Sequence, residues 1–562
     1  MDINKHKDEL LFVPLGGSGE IGLNFNLYHY KGKWIIVDFG AGFADDYLPG
    51  VDMIVPDISF IEKHKKDVLG IVLTHAHEDH LGAVQYLWDE IGCPVYTTRF
   101  TSSFLKAKLS EYGLSKKVPI VEIEQNGSFE LGPFSIEYVQ LAHSAPEMQA
   151  AIIRTDLGNV MHTGDWKFDH DPLVGKPADD KLLKKIGDEG ILALVGDSTN
   201  VFNPGTSGSE GDLKKSMIKL ISECDKLVVV TTFASNIARI DTIIRAAAEA
   251  GRKVVMAGRS LWRVTNAARE TGYLENVEEF LDDRSFAKYP RNKILVLCTG
   301  CQGEPMAAAT KMANGSHPTI KLVPGDNIIF SSKIIPGNDK RIYRQFNQLI
   351  KLGVNLFTEK SHFVHVSGHP SRDELKKMYE LIRPKLAIPV HGEIVHIHEH
   401  AKMAKKWGVK QAICVENGDV IRLAPGKPEK IAVVPSGYLA VDGNYLLPTN
   451  SPVMKARRKL QHDGAVIVTL IMGHTSNTLR TDPILATPGS LDAKEDHDLI
   501  MELTNEIRFV IDEKAGDVKK IKIKIEKTSN EALISQVKSI VRRVIKREVG
   551  KEPLIEVHVE RV

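Results

Sequence analysis

Between residues 10 and 75 the chain alternates short apolar runs with Gly and Pro breaks: Leu11-Phe12-Val13-Pro14-Leu15, Leu23-Asn24-Phe25-Asn26-Leu27-Tyr28 and Trp34-Ile35-Ile36-Val37-Asp38. Runs of this length between such breaks predict strands. Val68-Leu69-Gly70-Ile71-Val72-Leu73 is apolar without alternation, as a strand buried on both faces is. Strands then alternate with helical patterns to about residue 200, where Ile191-Leu192-Ala193-Leu194-Val195-Gly196-Asp197 ends one more.

From about 211 to 360 the pattern changes. Leu227-Val228-Val229-Val230-Thr231-Thr232, Lys253-Val254-Val255-Met256-Ala257 and Ile294-Leu295-Val296-Leu297 are continuous apolar runs separated by amphipathic segments. That is the βαβα pattern of a parallel sheet covered on both faces. Afterwards the chain returns to histidine-bearing strand ends, Phe363-Val364-His365-Val366 and Leu386-Ala387-Ile388-Pro389-Val390-His391. This order favours an insertion over a tandem arrangement. Pro425-Gly426-Lys427-Pro428 and Leu447-Pro448-Thr449-Asn450-Ser451-Pro452 read as loops around a joining segment. In the last unit Ile521, Ile523 and Ile525 alternate with lysines as a half-buried strand. Leu533, Val537, Ile540, Val541 and Val544 recur at helical spacing, with Lys538, Arg542, Arg543, Lys546 and Arg547 mostly on the other face. That basic face is a solvated surface, an RNA contact or a subunit contact.

At 562 residues the chain exceeds what one core serves, so three or four folding units are expected. A hydrophobic share of 43% and a charged share of 26% are those of an ordinary globular protein. No apolar stretch reaches the ~20 residues of a membrane span, so no membrane association and a cytoplasmic location are expected. Five scattered cysteines argue against a disulfide framework. A net charge of +1 requires any polyanion-binding surface to be local.

The chemistry concentrates in Leu73-Thr74-His75-Ala76-His77-Glu78-Asp79-His80. A strand ending in H-x-H aims two imidazoles at one cation, and the D-H on the next helical turn aims at a second. Imidazole and carboxylate together suit zinc, ahead of manganese or iron. A solvated histidine cluster is the alternative, but the pattern is far more restrictive than any two of its residues. A two-cation site needs roughly eight ligand atoms, so further ligands are expected at other strand ends. His143, Asp165 and His391 stand there, and Asp38 stands where it can orient a ligand imidazole.

With these residues the sequence resembles the metallo-β-lactamase superfamily, whose motifs run strand-end Asp, H-x-H-x-D-H, His, Asp and, in the nuclease branch, a final His. Gly196-Asp197-Ser198-Thr199-Asn200, Thr232-Phe233-Ala234-Ser235-Asn236, Gly300-Cys301-Gln302-Gly303-Glu304-Pro305, Ser332-Lys333-Ile334-Ile335-Pro336-Gly337-Asn338, His365-Val366-Ser367-Gly368-His369 and Pro389-Val390-His391-Gly392-Glu393 resemble the β-CASP signatures of the ribonuclease J family. The resemblance covers about residues 10–445; for the tail it is one of position and pattern. It implies an α/β chain: a four-layer αβ/βα metallo-β-lactamase domain with an inserted doubly wound β-CASP domain and a small α/β C-terminal domain involved in dimer formation. The expected boundaries are 1–210 and 366–445 for the first, 211–365 for the insertion, 446–460 for a linker and 461–562 for the last.

Carried over by residue, the family pattern puts His75, His77 and His143 on one cation and Asp79, His80 and His391 on the other, with Asp165 bridging: two Zn(2+) per subunit, Mn(2+) being the second candidate. Such a pair lowers the pKa of water from about 15.7 toward ~7 and clamps the scissile phosphate. His369 is expected as general acid and Asp197 as the carboxylate that holds it, with Asp79 counted in the same catalytic set. Without the resemblance Asp197 could equally be a turn residue and His369 a packed loop histidine. Ser235, Asn236, Ser367 and Gly368, with His365 and His369, resemble the family's pocket for a terminal 5′-phosphate. The implied activity is that of a ribonuclease, 5′ to 3′ exonucleolytic on single-stranded 5′-monophosphate RNA and also endonucleolytic. It would act in rRNA processing and mRNA decay as a homodimer or tetramer. A small-molecule metallohydrolase of lactonase or thioesterase type and a metal-free RNA-processing scaffold are the alternatives.

Other signals read differently. Gly17-Ser18-Gly19-Glu20-Ile21-Gly22 fits G-x-G-x-x-G, but a strand pattern follows where a dinucleotide site needs a helix. These glycines are expected to let the loop approach the cations. Cys298-Thr299-Gly300-Cys301 lacks the second pair of a zinc knuckle. Ser371 could simply cap the helix beginning near Arg372. His396, His398 and His400 are expected to face solvent.

Overall fold

The computed structural model describes residues 3–335, 337–474, 478–520 and 530–562. They form two compact units, one of residues 1–42 with 55–437, the other of 43–54 with 438–562.

In the first unit two sheets face each other. One has eight strands in the order Glu429–Val433, Asp419–Ala424, Leu10–Gly16, Phe25–Tyr30, Lys33–Val37, Val68–Val72, Val95–Thr97, Ile120–Glu122. The other has seven: Ser128–Leu131, Phe134–Gln140, Gln149–Thr155, Gly158–His162, Ala193–Asp197, Leu386–Val390, Gln411–Ala412. Leu10, Phe12, Tyr28, Ile35 and Val37 of the first sheet pack against Ile136, Tyr138, Ile153, Val195 and Ile388 of the second in one core. On its outer side the second sheet is covered by the helices Asp180–Glu189, Arg372–Ile382 and Ile394–Lys406, through Leu183, Ile186, Leu375, Met378, Ile382 and Ala404. Helices Val84–Ile91 and Arg99–Glu111 bury Leu87, Trp88, Phe100, Phe104 and Leu105 and complete the four layers.

Both sheets start as antiparallel hairpins and turn parallel along their length: Lys33–Val37 with Val68–Val72 in one, Gly158–His162 with Ala193–Asp197 and Leu386–Val390 in the other. Loops at the carboxyl ends of parallel strands carry ligand sites in open α/β sheets. Here Asp38, His75, Asp165, Asp197 and His391 lie at or just beyond such ends.

Between Ala193–Asp197 and its parallel neighbour Leu386–Val390 the chain builds a separate six-stranded parallel sheet, in the order Leu281–Asp282, Lys253–Ala257, Ile294–Cys298, Val228–Thr231, Asn327–Phe330, Asn355–Phe357. Leu227, Val229, Val255, Val296, Ile328 and Phe330 form its core with Met312 and Leu349 of the covering helices. The insertion thus leaves and re-enters the second sheet at adjacent strands. Phe363-Val364-His365-Val366, expected as a strand end, is instead a loop. The reason is that Arg239 and Ser331 take its carbonyls: Val366 O accepts from Arg239 Nη2 at 3.2 Å and Val364 O from Ser331 Oγ at 2.7 Å.

The second unit opens with the hairpin Tyr438–Asp442/Tyr445–Pro448 and buries Leu48, Val51, Ala440 and Met454 together. Residues 446–460, expected to link domains, carry most of that second strand and much of the helix Pro452–Asp463. Beyond it Ile484–Ala486, Ala465–Met472 and Leu554–Arg561 form a three-stranded sheet under the helices His497–Lys520 and Asn530–Val549. Leu533, Val537, Ile540, Val541 and Val544 are the buried face of the latter helix. Of its basic residues, Lys538, Arg543, Lys546 and Arg547 pair with Glu556, Glu506, Glu552 and Glu502. The alternation at Ile521, Ile523 and Ile525 lies outside the described residues. Among those described, no helix is long and apolar enough to cross a membrane.

Candidate metal centre and acid–base pair

The strand Val68–Val72 ends at a loop whose course is fixed by Asp38. Thr74 donates to Asp38 twice, from its backbone N–H at 2.8 Å and from Oγ1 at 2.9 Å. Having given its proton to Asp38, Thr74 Oγ1 accepts from His75 Nδ1 at 3.0 Å, which leaves His75 Nε2 with its lone pair turned inward. Asp38 also accepts from His80 Nδ1 at 2.6 Å. The carboxylate anticipated as an orienting group therefore sets two imidazoles at once.

The other imidazoles are aimed by equivalent means. His143 donates from Nδ1 to Gly368 O at 2.7 Å, and its Nε2 stands 3.1 Å from His77 Nδ1. Thr199 Oγ1 donates to Asp197 at 2.7 Å and accepts from His391 Nδ1 at 2.8 Å. His391 Nε2 then lies 3.2 Å from Asp79 Oδ2. The result is two overlapping sets, His75, His77, His143 and Asp165, and Asp79, His80, Asp165 and His391, each with its donor atoms within 4.8 Å of one another. Close approach needs glycine at Gly22, whose φ is +90° and where a Cβ would stand 3.3 Å from Asp79 Cβ. At Gly368 a Cβ would meet His143 Cε1 at 2.8 Å.

The residues fit a pair of divalent cations. His75 Nε2 is buried without a hydrogen-bond partner among the described residues, and both oxygens of Asp165 are buried with no satisfied hydrogen bond, Oδ2 having an ion-pair contact with His80 Nε2 at 3.1 Å; a structure tolerates this only where an unseen partner satisfies it. Burial, with the imidazoles of His80 and His77, holds His75 well below the usual histidine range, and burial with His77 does the same to His143. Burial brings His77 to about 4. All three are thus neutral and able to ligate. In the second set burial opposes protonation, yet Asp165 and Asp38 hold His80 well above its usual value, and Asp165, Asp197 and Asp79 do so for His391. Its carboxylates are calling for positive charge.

Beside these sets His369 Nδ1 donates to Asp197 Oδ2 at 2.8 Å, and its ring stacks on His391 at 5.4 Å and 16°. Burial would lower His369, but Asp197 and Asp165 outweigh it and raise the pKa. Asp197 is buried, with Oδ1 taking the N–H and Oγ1–H of Thr199.

The profile of the metallo-β-lactamase superfamily matches residues 22–221, and that of the ribonuclease J β-CASP domain 225–349. A Zn-dependent metallo-hydrolase RNA specificity domain matches 357–414, and the ribonuclease J C-terminal domain 452–562. Ribonuclease J of Sinorhizobium meliloti is 39% identical over 559 residues, 99% of this chain and 98% of its own. Ribonuclease J of Thermus thermophilus is 32% identical over 98% and 95%, and ribonuclease J2 of Bacillus subtilis 34% over 91% and 92%. The chain belongs to the ribonuclease J family. A crystal structure of a protein of unknown function from Enterococcus faecalis V583 shares the fold, with a TM-score of 0.53 and 18% identity over 74% of this chain and 99% of that one.

In this ribonuclease J family chain the residues expected to hold a 5′-phosphate are partly committed elsewhere. Asn236 caps the helix Ile237–Glu249 by accepting from Arg239 N–H at 2.8 Å. Ser367 Oγ accepts from Asn200 Nδ2 at 2.8 Å and from His369 N–H at 3.2 Å, so its own proton is left to donate. Gly368 spends its carbonyl on His143. Arg239, fully buried and paired with Glu210 at 2.9 Å, donates to His365 Nδ1 at 3.3 Å and so links the insertion to the 364–366 loop. Burial, Arg239 and Lys333 keep His365 neutral. Ser235 is half-buried, before that helix. Ser371 is a helix cap, with Glu374 closing the capping box.

Thr74 and Thr199 escaped the sequence reading. The available signal was their position, one residue before His75 and two after Asp197, where short hydroxyl side chains reach neighbouring groups. The solvent exposure expected for the helix histidines holds for His398 only: His396 is half-buried and His400 fully buried. Cys298 and Cys301 are both buried free thiols, and burial pushes Cys298 up to about 12, so neither is a reactive thiolate. After the glycine motif comes the strand Phe25–Tyr30, not a helix.

Proposed function

We propose that this chain hydrolyses RNA phosphodiesters, removing nucleotides 5′ to 3′ from 5′-monophosphate ends and also cutting internally. The observation that carries the reading is the joint placement of two ligand sets sharing Asp165 beside the Asp197–His369 pair. His75, His77, His143 and Asp165 would hold one cation; Asp79, His80, His391 and Asp165 the other, zinc being the first candidate and manganese the second. When bound, such a pair supplies Lewis-acid charge to the phosphoryl oxygens and acidifies water in the site.

The chain's own residues do the rest. Asp38, Thr74 and Thr199 fix the imidazoles before substrate arrives. With Nδ1 committed to Asp197, His369 has Nε2 to offer, and Asp197 and Asp165, which raise its pKa against burial, favour a proton there. As water attacks phosphorus and the bond to the 3′-oxygen breaks, that proton goes to the leaving oxygen, while the proton given up by the water passes to solvent, from which His369 is recharged. Asp197 stabilises the imidazolium beforehand and orients it. Ser367 Oγ–H, the backbone amides of Gly368 and Ser235, the side-chain NH2 of Asn236 and His365 Nε2–H are donors suited to a terminal phosphate, which would set exonucleolytic register; the Asn236 backbone N–H donates to Phe233 O instead. A metal-free scaffold would not need all seven ligands, and a lactonase would not need the acid pair or the insertion.

The test is digestion by the metal-loaded chain of 5′-monophosphate RNA, 5′-triphosphate RNA, DNA and a lactone. Mononucleotide release should be fastest from 5′-monophosphate RNA. Hydrolysis of the lactone alone would overturn the reading.

A further inference from the structure

The helix Ile394–Lys406 supplies no ligand, yet one of its histidines is buried as deeply as the ligands are. His400 Nδ1 lies 2.9 Å from Ser198 Oγ and its Nε2 lies 3.0 Å from the hydroxyl of Tyr379, which is itself buried on the helix Arg372–Ile382. Ser198 stands between Asp197, which holds His369, and Thr199, which holds His391. The three-residue turn is therefore gripped from behind by a polar chain that runs from the end of a central strand to the outer helical layer.

The topology explains why the grip is there. Strands Ala193–Asp197 and Leu386–Val390 are parallel neighbours, with Asp197 opposite Val390, so the helix that begins just after His391 lies beside the turn. Gly392 touches the turn from the other side: a Cβ there would stand 3.1 Å from Ser198 Cβ. A neutral imidazole carries one N–H and one acceptor, and with a hydroxyl at each end either tautomer satisfies both bonds. Burial brings His400 to about 4, so it is neutral at working pH. Buried chains of this kind specify one geometry when every member is satisfied.

We propose that His400 is a positioning residue: through Ser198 it holds the Asp197–Ser198–Thr199 turn where Asp197 meets His369. This rests on the role given above to His369. The Ser198 end of the imidazole should matter for turnover and the Tyr379 end should not, which a merely space-filling role would not distinguish. His400→Asn places an amide atom near the position of Nδ1 and keeps the bond to Ser198. His400→Gln reaches toward Nε2 and keeps only the bond to Tyr379.

Both variants are compared with wild type on 5′-monophosphate RNA, as the metal-loaded full chain, with metal content and melting temperature measured alongside. His400→Asn should keep kcat within about 3-fold of wild type, and His400→Gln should lose about 10- to 100-fold, the usual range for groups that orient an active-site residue. KM, metal content and melting temperature should agree between the two. Equal kcat in the two variants, or a loss of kcat that follows metal or melting temperature, overturns the proposal. If neither folds, Ser198→Ala and Tyr379→Phe pose the same contrast: Ser198→Ala should be slow and Tyr379→Phe not, and equal rates overturn it. A wild-type chain that leaves RNA intact defeats the functional reading itself, whatever the variants do.

Discussion

Replacing Asp197 by alanine should separate the proposed acid catalysis from metal binding. Its Oδ2 sits 2.8 Å from His369 Nδ1, a charge-assisted bond in a buried setting; bonds to charged groups contribute about 1.5–3 kcal/mol. At about 1.4 kcal/mol per factor of ten, its loss predicts a fall in kcat of about 10- to 100-fold. His369→Ala, which removes the acid itself, should cost about 10²- to 10⁴-fold. The double variant should be no slower than His369→Ala, because Asp197 acts through His369. The pH profile gives an independent sign. His369 must be protonated to act, so activity falls as pH rises through its pKa. After burial, which lowers that pKa, Asp197 is the first of the groups raising it; without Asp197 the alkaline limb should move to lower pH. Single-turnover rates on 5′-monophosphate RNA against pH, with metal counted by atomic emission, are the assay. Asp197 also stands with Asp165, His369 and His391 in a third possible ligand group, so the reasoning has a sharp point of failure. Metal loss in Asp197→Ala would show that Asp197 supports the metal site, as a ligand or through Thr199 and His391, and would refute the role assigned here.

Four further outcomes are expected. His77→Ala should lose metal and activity together, and a variant that keeps either refutes its place in the first set. Thr74→Val removes the hydroxyl between Asp38 and His75 and should weaken metal affinity about 10- to 100-fold, read by titration with a competing chelator; unchanged affinity would show that the hydroxyl does not orient His75. Glu210→Ala leaves the Arg239 guanidinium buried without its carboxylate, a change that costs about 3–5 kcal/mol when a buried pair is broken. The melting temperature should fall by several degrees, and no fall would mean that the carbonyls around Arg239 suffice. The chain is expected as a dimer held through residues 453–562, so their removal should give a monomer by light scattering; an association state equal to that of the full chain overturns that expectation.

How much of this was legible in the sequence depended on whether the information was local. H-x-H-x-D-H states four candidate ligands in six residues, and the strand before it dictates where they point. His143, Asp165 and His391 could be found because ligand sites gather at strand ends, although only the family resemblance divided them between two cations. The linker reading shows a local signal misjudged. Pro448, Asn450, Ser451 and Pro452 look like loop residues, but a serine followed by proline is also how a helix starts: Ser451 accepts from Met454 N–H and Pro452 occupies the first turn of Pro452–Asp463.

His400 and the 363–366 segment failed for different physical reasons. His400 lies on the stripe formed by Ile397, Ala401 and Ala404, all buried, and spacing alone would have placed it inward; its polarity argued the other way. A buried imidazole is stable only if both nitrogens find partners, and those partners, Ser198 and Tyr379, lie 202 and 21 residues away in sequence. No local pattern contains that. Phe363-Val364-His365-Val366 has the composition of a strand. Whether such a segment becomes a strand depends on where its carbonyls go, and here a buried arginine 125 residues away and Ser331 claim them. In both cases the deciding interaction is a hydrogen bond made by a side chain distant in sequence, to another side chain at His400 and to backbone carbonyls at 363–366. The features that a sequence withholds are therefore those that fine-tune the active site, because orientation is supplied by hydroxyls and buried polar groups whose identity implies no single partner.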